Sequence, residues 1–398
     1  VIGCRVAAVG VVTSLGHGLA TTWRRLLACD VTSLTRRDDL VRDHPLLVAE
    51  VPGPLPTIPA PLDRHACRNN SLSLAALGQI EHAVREAIAT ASSPRVGVVM
   101  GSSTAGIASA EAAVAAHDRS GRLSDAFHYA QMELGSVAEF VADHLGVTGP
   151  CYTISTACSS GAKALASART LLQLGLCDVV VAGGTDSLCR TTANGFSALK
   201  AVSDEPSVPF SRNRSGFTLG EGSAVFLLTR GTDGIQLVGT GESSDAHHMS
   251  APHPEGVGAE AAMRAALADA RLDADGIDYL NLHGTGTTLN DVVEAKAVHR
   301  IFGDGVACSS TKPLVGHTLG ASGAIEAAFS WMVLHATARG CLPLIPHYWD
   351  GEPDPEIPPI RLAPRAAKVP VGPRATAMSN SFGFGGNNCC LILSTSAS

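Results

Sequence analysis

Short β-branched runs alternate with alanine-rich helical stretches along most of this chain. Arg5–Val12, Arg95–Met100, Asp178–Ala182, Ser223–Leu228, Ile235–Val238 and Tyr279–Leu282 are nearly continuous apolar runs, the pattern of strands buried on both faces. Helical periodicity fills 73–90, 105–117, 160–175, 258–271, 291–301 and 321–338, with a further helix from about Leu19. This alternation predicts an α/β fold with buried sheets. The proline-rich segments 52–61 and 342–359 read as surface loops, not as linkers between separate domains.

A faint internal echo adds to this. TACSSGAKALASARTLL is a small-residue turn entering a helix, followed by the strand VVVAGG. GHTLGASGAIEAAFSWMVL is a second such turn and helix, and ATAMSNSFGFGG follows later as a strand and glycine loop. Two halves of this kind, about 1–235 and 236–398, predict a duplicated fold with pseudo-twofold symmetry.

Composition narrows the class. Apolar residues make up 45% of the chain and charged ones 16%, which is a well-buried globular balance. Aromatics are few and Ala and Gly plentiful, so the core needs helices and strands that approach closely. The net charge of −7 argues against nucleic acid and anionic membranes as partners. No apolar run reaches the length of a membrane span, and the first residues lack the basic region of a secretory signal. Eleven cysteines without a CxxC pair, mostly among apolar neighbours, read as reduced thiols of a cytoplasmic protein.

One cysteine has a different setting. Cys158 lies in ISTACSSG, at the start of a predicted helix. The hydroxyls of Thr156–Ser160 are candidate caps, and a helix N-terminus lowers a thiol pKa from its usual value of about 8.5 toward neutral. His283, in NLHGTGT, follows a predicted strand; His317, in KPLVGHTLG, precedes a predicted helix. Taken alone, either histidine reads equally as a hydrogen-bonded structural residue. Gly284 directly after His283 and Gly316 directly before His317 let backbone or ligand approach closely, and a Cys with two His suits thioester chemistry. NSFGFGGNN, residues 380–388, can present backbone N–H groups to an oxyanion, with a phenylalanine set to move. His247, His248 and His253 resemble a metal cluster, but no matching Cys or acid spacing accompanies them, and no metal is expected.

TACSSG, HGTGT, KPLVGHTLGASGAIE, PFSRNRSGFTLGEGSA and NSFGFGG together resemble the β-ketoacyl-acyl-carrier-protein synthases, condensing enzymes of the thiolase superfamily. They occur in the family's order and span nearly the whole chain. The resemblance implies a five-layered αβαβα thiolase-like fold with two central mixed sheets. It implies decarboxylative Claisen condensation on substrates carried by the phosphopantetheine of an acyl carrier protein, with no further cofactor. It also implies a homodimer, or a heterodimer with a chain-length-factor-like paralogue. Residue by residue, Cys158 matches the acylated nucleophile, and His283 and His317 the pair that promotes malonyl decarboxylation. Lys312 and Glu326 match their supporting residues, Thr285 and Thr287 the pantetheine contacts, and Asp291 a structural acid. Phe384 matches the gating residue whose N–H joins that of Cys158 in the oxyanion hole, with Phe382 beside it. Ile107 and Gln131 match positions of the acyl tunnel. DAHHMSAPHPEG resembles a loop near the active-site entrance.

The chain departs from the family's pattern at GGNN, where Gly-Gly-Thr-Asn is usual, and at Thr288-Leu289-Asn290, where a proline is common. The pathway implied is fatty acid or type II polyketide biosynthesis, and the wording of NLHGTGT and SSDAHHMSAP leans toward the aryl polyene or type II polyketide branch. Retention of Cys158, His283 and His317 argues against a non-catalytic chain-length factor. The paired histidines with Lys312 argue against a non-decarboxylating thiolase.

Overall fold

The computed structural model describes residues 3–42, 44–90 and 95–396. Ten strands build its centre. In the first half these are β1 (Cys4–Thr13), β2 (Val96–Gly101), β3 (Cys151–Ile154), β4 (Val179–Asp186) and β5 (Gly222–Arg230). In the second they are β6 (Ile235–Ser244), β7 (Tyr279–Asn281), β8 (Ala307–Ser309), β9 (Thr376–Gly383) and β10 (Asn387–Thr395).

The spatial order is β3-β2-β4-β5-β1 in one sheet and β8-β7-β9-β10-β6 in the other. Numbered within each half, both orders are third-second-fourth-fifth-first. The senses repeat too. β2 is parallel to β3 and β4, as β7 is to β8 and β9; the remaining pairs in each sheet are antiparallel. The duplication is therefore visible in topology, where sequence showed only an echo. The two mixed sheets touch edge to edge through a single pair, Arg5 with Gln236.

Helices form the other layers. α1 (Leu19–Ala28) follows β1, and α2 (Arg68–Leu77), α3 (Glu81–Thr90), α4 (Ile107–Ser120) and α5 (Ser136–Leu145) belong to the first half. α6 (Ser160–Gln173) lies between the sheets, and α7 (Arg190–Ala198) follows β4. In the second half come α8 (Val257–Ala270), α9 (Thr288–Phe302), α10 (Lys312–Val315) and α11 (Ser322–His335). α2 and α5 cover the outer face of the first sheet, α8 the outer face of the second with α9 against it, and α6 and α11 fill the middle. The result is five layers, αβαβα.

The small-residue composition is explained at the α6–α11 crossing. A methyl group on Gly161 would lie 2.8 Å from the Ala324 nitrogen, and one on Gly323 would lie 2.7 Å from the Ala162 Cβ. Only glycine allows this approach. Gly161→Ala is expected to overpack the crossing and lower stability by about 1–3 kcal/mol, read by denaturant melts. An unchanged midpoint would mean the helices can separate freely.

Three expectations need correction. The helix expected over 73–90 is two helices, because the chain turns at Gly78–Ile80, and the first already begins at Arg68. Segment 342–359 is not wholly a surface loop: Leu342, Leu344, Ile345 and His347 are buried, and His347 accepts from the Ser310 N–H at 3.1 Å. The hydroxyls at 156–160 do not cap α6. They knit the turn before it: Ser159 Oγ donates to Thr156 O at 2.8 Å and Ser160 Oγ to Ala157 O at 2.6 Å.

Candidate active site

The tight turn before α6 forces Ala157 into the left-handed region, with φ 53°. That bend sets the next side chain, Cys158, at the mouth of the helix and 5% exposed. Its Sγ lies 3.0 Å from Nε2 of His317, which sits in the equivalent turn ahead of α11 in the other half. The His283 ring meets the His317 ring edge-on with centroids 5.4 Å apart. The three residues expected to react are thus assembled from the start of α6, the end of β7 and the turn before α11.

His283 is held at three atoms. Its N–H donates to Glu294 Oε1 at 2.8 Å, its carbonyl accepts from Lys312 Nζ at 2.5 Å, and its Nδ1 lies 3.3 Å from the same Nζ. An ammonium only donates, so Nδ1 is the acceptor and the ring proton rests on Nε2. Lys312 spends its third donor on Glu326; the two side chains are only 1% and 2% exposed. His317 differs: its Nδ1 is buried with no hydrogen-bond partner among the described residues, so no such bond fixes its tautomer.

Burial dominates the electrostatics. It pushes the Cys158 thiol up to about 11, against the opposing pull of Lys312 and of the Phe384 and Cys158 N–H groups. Burial, then the Lys312 charge, holds both histidines well below the ordinary imidazole range. Both shifts favour a neutral thiol beside a neutral imidazole. This reverses the expectation of a depressed thiol pKa: desolvation by burial outweighs the helix terminus. Thiolate below its pKa grows tenfold per pH unit. Alkylation of Cys158 by iodoacetamide is expected to climb about tenfold per unit from pH 7 to 9 with no plateau. A plateau below pH 8 would restore the expected depression of the thiol pKa by the helix terminus.

A cavity of about 240 Å³ opens onto Cys158, His283 and His317, with Thr285, Thr287 and Phe384 on its walls. Thr285 and Thr287 hydroxyls lie 3.0 Å apart. Phe382 also borders it, against His283 at 6.0 Å. Phe384 stacks edge-on to Phe196 at 5.7 Å, Phe196 to Phe217 at 5.1 Å, and Phe217 to His317 at 5.0 Å. The 245–256 segment does reach the entrance: Met249 O accepts from Gly385 N–H and Asp245 takes the Asn388 amide. Ile107 does not line this cavity. It opens α4 next to Gly106, whose Cα packs on the Gln131 backbone.

Asp291 is buried and accepts from Phe210 N–H at 2.8 Å and Gly286 N–H at 3.1 Å, so it shapes the HGTGT turn. Sequence reading missed Glu294, one helical turn on, which accepts from His283, Gly284 and the Asn380 amide. Its signal was a second acid, one turn after Asp291, on the otherwise apolar face of α9. Among the described residues, the one group of three potential metal donors is Cys158, His283 and His317, within 4.8 Å of one another. The Lys312 ammonium beside His283 opposes a cation there. His247 and His253 pair at 5.0 Å, without a third ligand among the described residues.

A thiol, two imidazoles and backbone donors around one cavity of a duplicated five-layer fold define a thiol acyl-transfer enzyme. Comparison with known proteins is specific. Residues 5–234 match the family model of the β-ketoacyl synthase N-terminal domain and 235–346 that of its C-terminal domain. The mitochondrial 3-oxoacyl-[acyl-carrier-protein] synthase of Arabidopsis thaliana is 34% identical, over 98% of this chain and 92% of its own. The 3-oxoacyl-[acyl-carrier-protein] synthase 2 of Rhizobium meliloti is 33% identical, over 98% and 97%. A ketosynthase, ApeO, solved in complex with its chain length factor ApeC from Xenorhabdus doucetiae, is 41% identical. It superposes with a TM-score of 0.92 over 99% of this chain and 98% of that one. The chain belongs to the β-ketoacyl synthase family.

Proposed function

We propose that this protein joins an acyl group held on Cys158 to a malonyl-derived enolate, as a β-ketoacyl-acyl-carrier-protein synthase. The observation that carries this is the 3.0 Å contact of Cys158 Sγ with His317 Nε2 beside a second imidazole whose proton faces the cavity. As sulfur attacks the acyl thioester carbonyl, its proton passes to His317 Nε2. The oxyanion lies at the N–H groups of Cys158 and Phe384. Collapse breaks the carbonyl–sulfur bond to the carrier, and the departing pantetheine thiolate takes the proton back. The malonyl thioester then enters past Thr285 and Thr287, and losing CO₂ leaves an enolate whose oxygen accepts from Nε2–H of His283 and His317. Its carbon attacks the acyl carbonyl, Cys158 leaves as thiolate, and one proton is taken up overall.

The unfixed tautomer of His317 suits this: the same nitrogen accepts in the first half-reaction and donates in the second. Lys312 and Glu326 hold His283 in one state throughout. Phe384 gates the entrance, and Ile107 with Gln131 bounds the acyl end beyond it. The halves 1–235 and 236–398 are read as the nucleophile-bearing and histidine-bearing repeats.

The ketosynthase ApeO, solved with its chain length factor, supports a paralogue as partner, and the pathway we propose is a polyketide or aryl polyene one. β3 is an edge strand paired only to β2 among the described residues, and it offers its other side to a second subunit, identical or paralogous. The cytoplasm is the proposed location. All eleven cysteines are free, and no helix among the described residues is long and apolar enough to cross a membrane.

Mass spectrometry after incubation with a panel of acyl carrier proteins reports which acyl groups load. His283→Ala and His317→Ala are expected to retain part of that loading and to lose malonyl decarboxylation by about 10²–10⁴-fold. Unchanged CO₂ release in either variant would remove that histidine from the mechanism.

A further inference from the structure

Asp186 ends β4 with its side chain buried and no cation paired with it among the described residues. Five donors converge on it instead. Ser102 Oγ donates at 2.7 Å, Ser103 N–H at 2.9 and 3.0 Å to the two oxygens, and Thr104 N–H and Oγ1 at 2.9 and 2.8 Å. The fifth is Gly320 N–H from the other half of the molecule, at 2.5 Å.

These donors sit on the loops that carry the reacting groups. Ser103 Oγ passes on a hydrogen bond to Ala157 O at 3.3 Å, on the strained residue just before Cys158. Gly320 lies three residues after His317, next to Leu319, which has φ 50°. A methyl group on Gly320 would stand 2.7 Å from both Asp186 Oδ2 and Ser103 N, so the two loops are drawn together around this one carboxylate. An unpaired buried carboxylate is a costly way to tie a fold unless its acceptor-only character is needed. Five donors aimed inward need it: an amide would turn two N–H groups against them.

We propose that Asp186 is a positioning residue that sets the separation of Cys158 Sγ from His317 Nε2, holding the nucleophile's turn through Ser103 and the histidine's turn through Gly320. The inference rests on the reading that these two groups react with each other.

The test compares Asp186→Asn and Ser103→Ala with wild type in three measurements: acyl loading, malonyl decarboxylation and melting temperature. Displacement of a reacting group by about 1 Å costs on the order of 10²-fold. Asp186→Asn is expected to lower kcat of both loading and decarboxylation by about that factor, with KM for the acyl carrier substrate within about twofold. Ser103→Ala cuts only the link to Ala157. It is expected to slow loading by about 3–10-fold and leave decarboxylation at wild-type rate. A folded Asp186→Asn enzyme with a lower melting temperature but wild-type kcat in both steps would make Asp186 merely structural and overturn the inference. If that variant does not fold, wild-type loading by Ser103→Ala overturns it on its own. Loading that persists in Cys158→Ala is a different failure, since it removes the underlying reading and not the role of Asp186 alone.

Discussion

Cys158→Ala is expected to accept no acyl group: the mass increment that wild type shows after incubation with acyl carrier protein disappears, and condensation falls by on the order of 10⁴-fold or more. The argument is geometric. Of the eleven cysteines, Cys158 is the one whose sulfur contacts an imidazole nitrogen and lines the cavity with both histidines. Several others are raised above the ordinary thiol range by burial with no base beside them, as Cys4 is, pushed up to about 12. The variant should fold normally, because the site is already an open cavity and one sulfur is a small loss of packing. Equal labelling of Cys158→Ala and wild type would show that another residue carries the acyl group.

Lys312→Met is expected to have the largest effect on stability, about 3–5 kcal/mol, the scale of leaving one member of a buried ion pair alone. Lys312 and Glu326 are both almost wholly buried, and burial pushes the Glu326 carboxyl up to about 7 even with its partner present. Loss of the ammonium also frees His283 Nδ1 and its carbonyl, so decarboxylation should fall with stability. A second substitution separates the two effects. In Lys312→Met/Glu326→Leu no charge is left buried, and at least half of the lost stability should return while decarboxylation stays impaired. Urea unfolding and CO₂ release measure these independently. If the double variant recovers neither stability nor activity, the loss comes from packing and not from charge. If it recovers both, Lys312 has no part in holding His283.

The sequence made the reactive centre legible because its parts are locally abnormal. Cys158 among hydroxyls and glycine, and His283 and His317 each next to a glycine, do not look like core. The strands were legible for the opposite reason, being plainly apolar. The supporting acids were not. Asp186 closes VVVAGGTD as an ordinary strand end, and the donors that give it meaning come from residues some 80 and 134 positions away. Glu294 looks like any acid in a helix until the HGTGT turn is laid over it. The break between α2 and α3 at Gly78 was hidden because helical periodicity resumes on the far side. The Cys158 pKa was misjudged for a related reason: the helix start is written locally, whereas the burial that desolvates the thiol comes from tertiary packing. What sequence displays is each loop's own chemistry, and what it withholds is the pressure one half exerts on the other.

The matching sheets carry a consequence for synthesis. Cys158 and His317 occupy equivalent turns of the two repeats and are 159 residues apart. A chain still growing from the ribosome finishes the nucleophile's repeat long before the base exists. Until the second repeat docks, that thiol lacks its contact with the His317 imidazole, the Phe384 backbone beside it and the cavity wall of threonines. On the proposed mechanism, capture of acyl groups therefore waits for completion of the fold, and a truncated product is expected to be inert toward the substrates of the finished molecule.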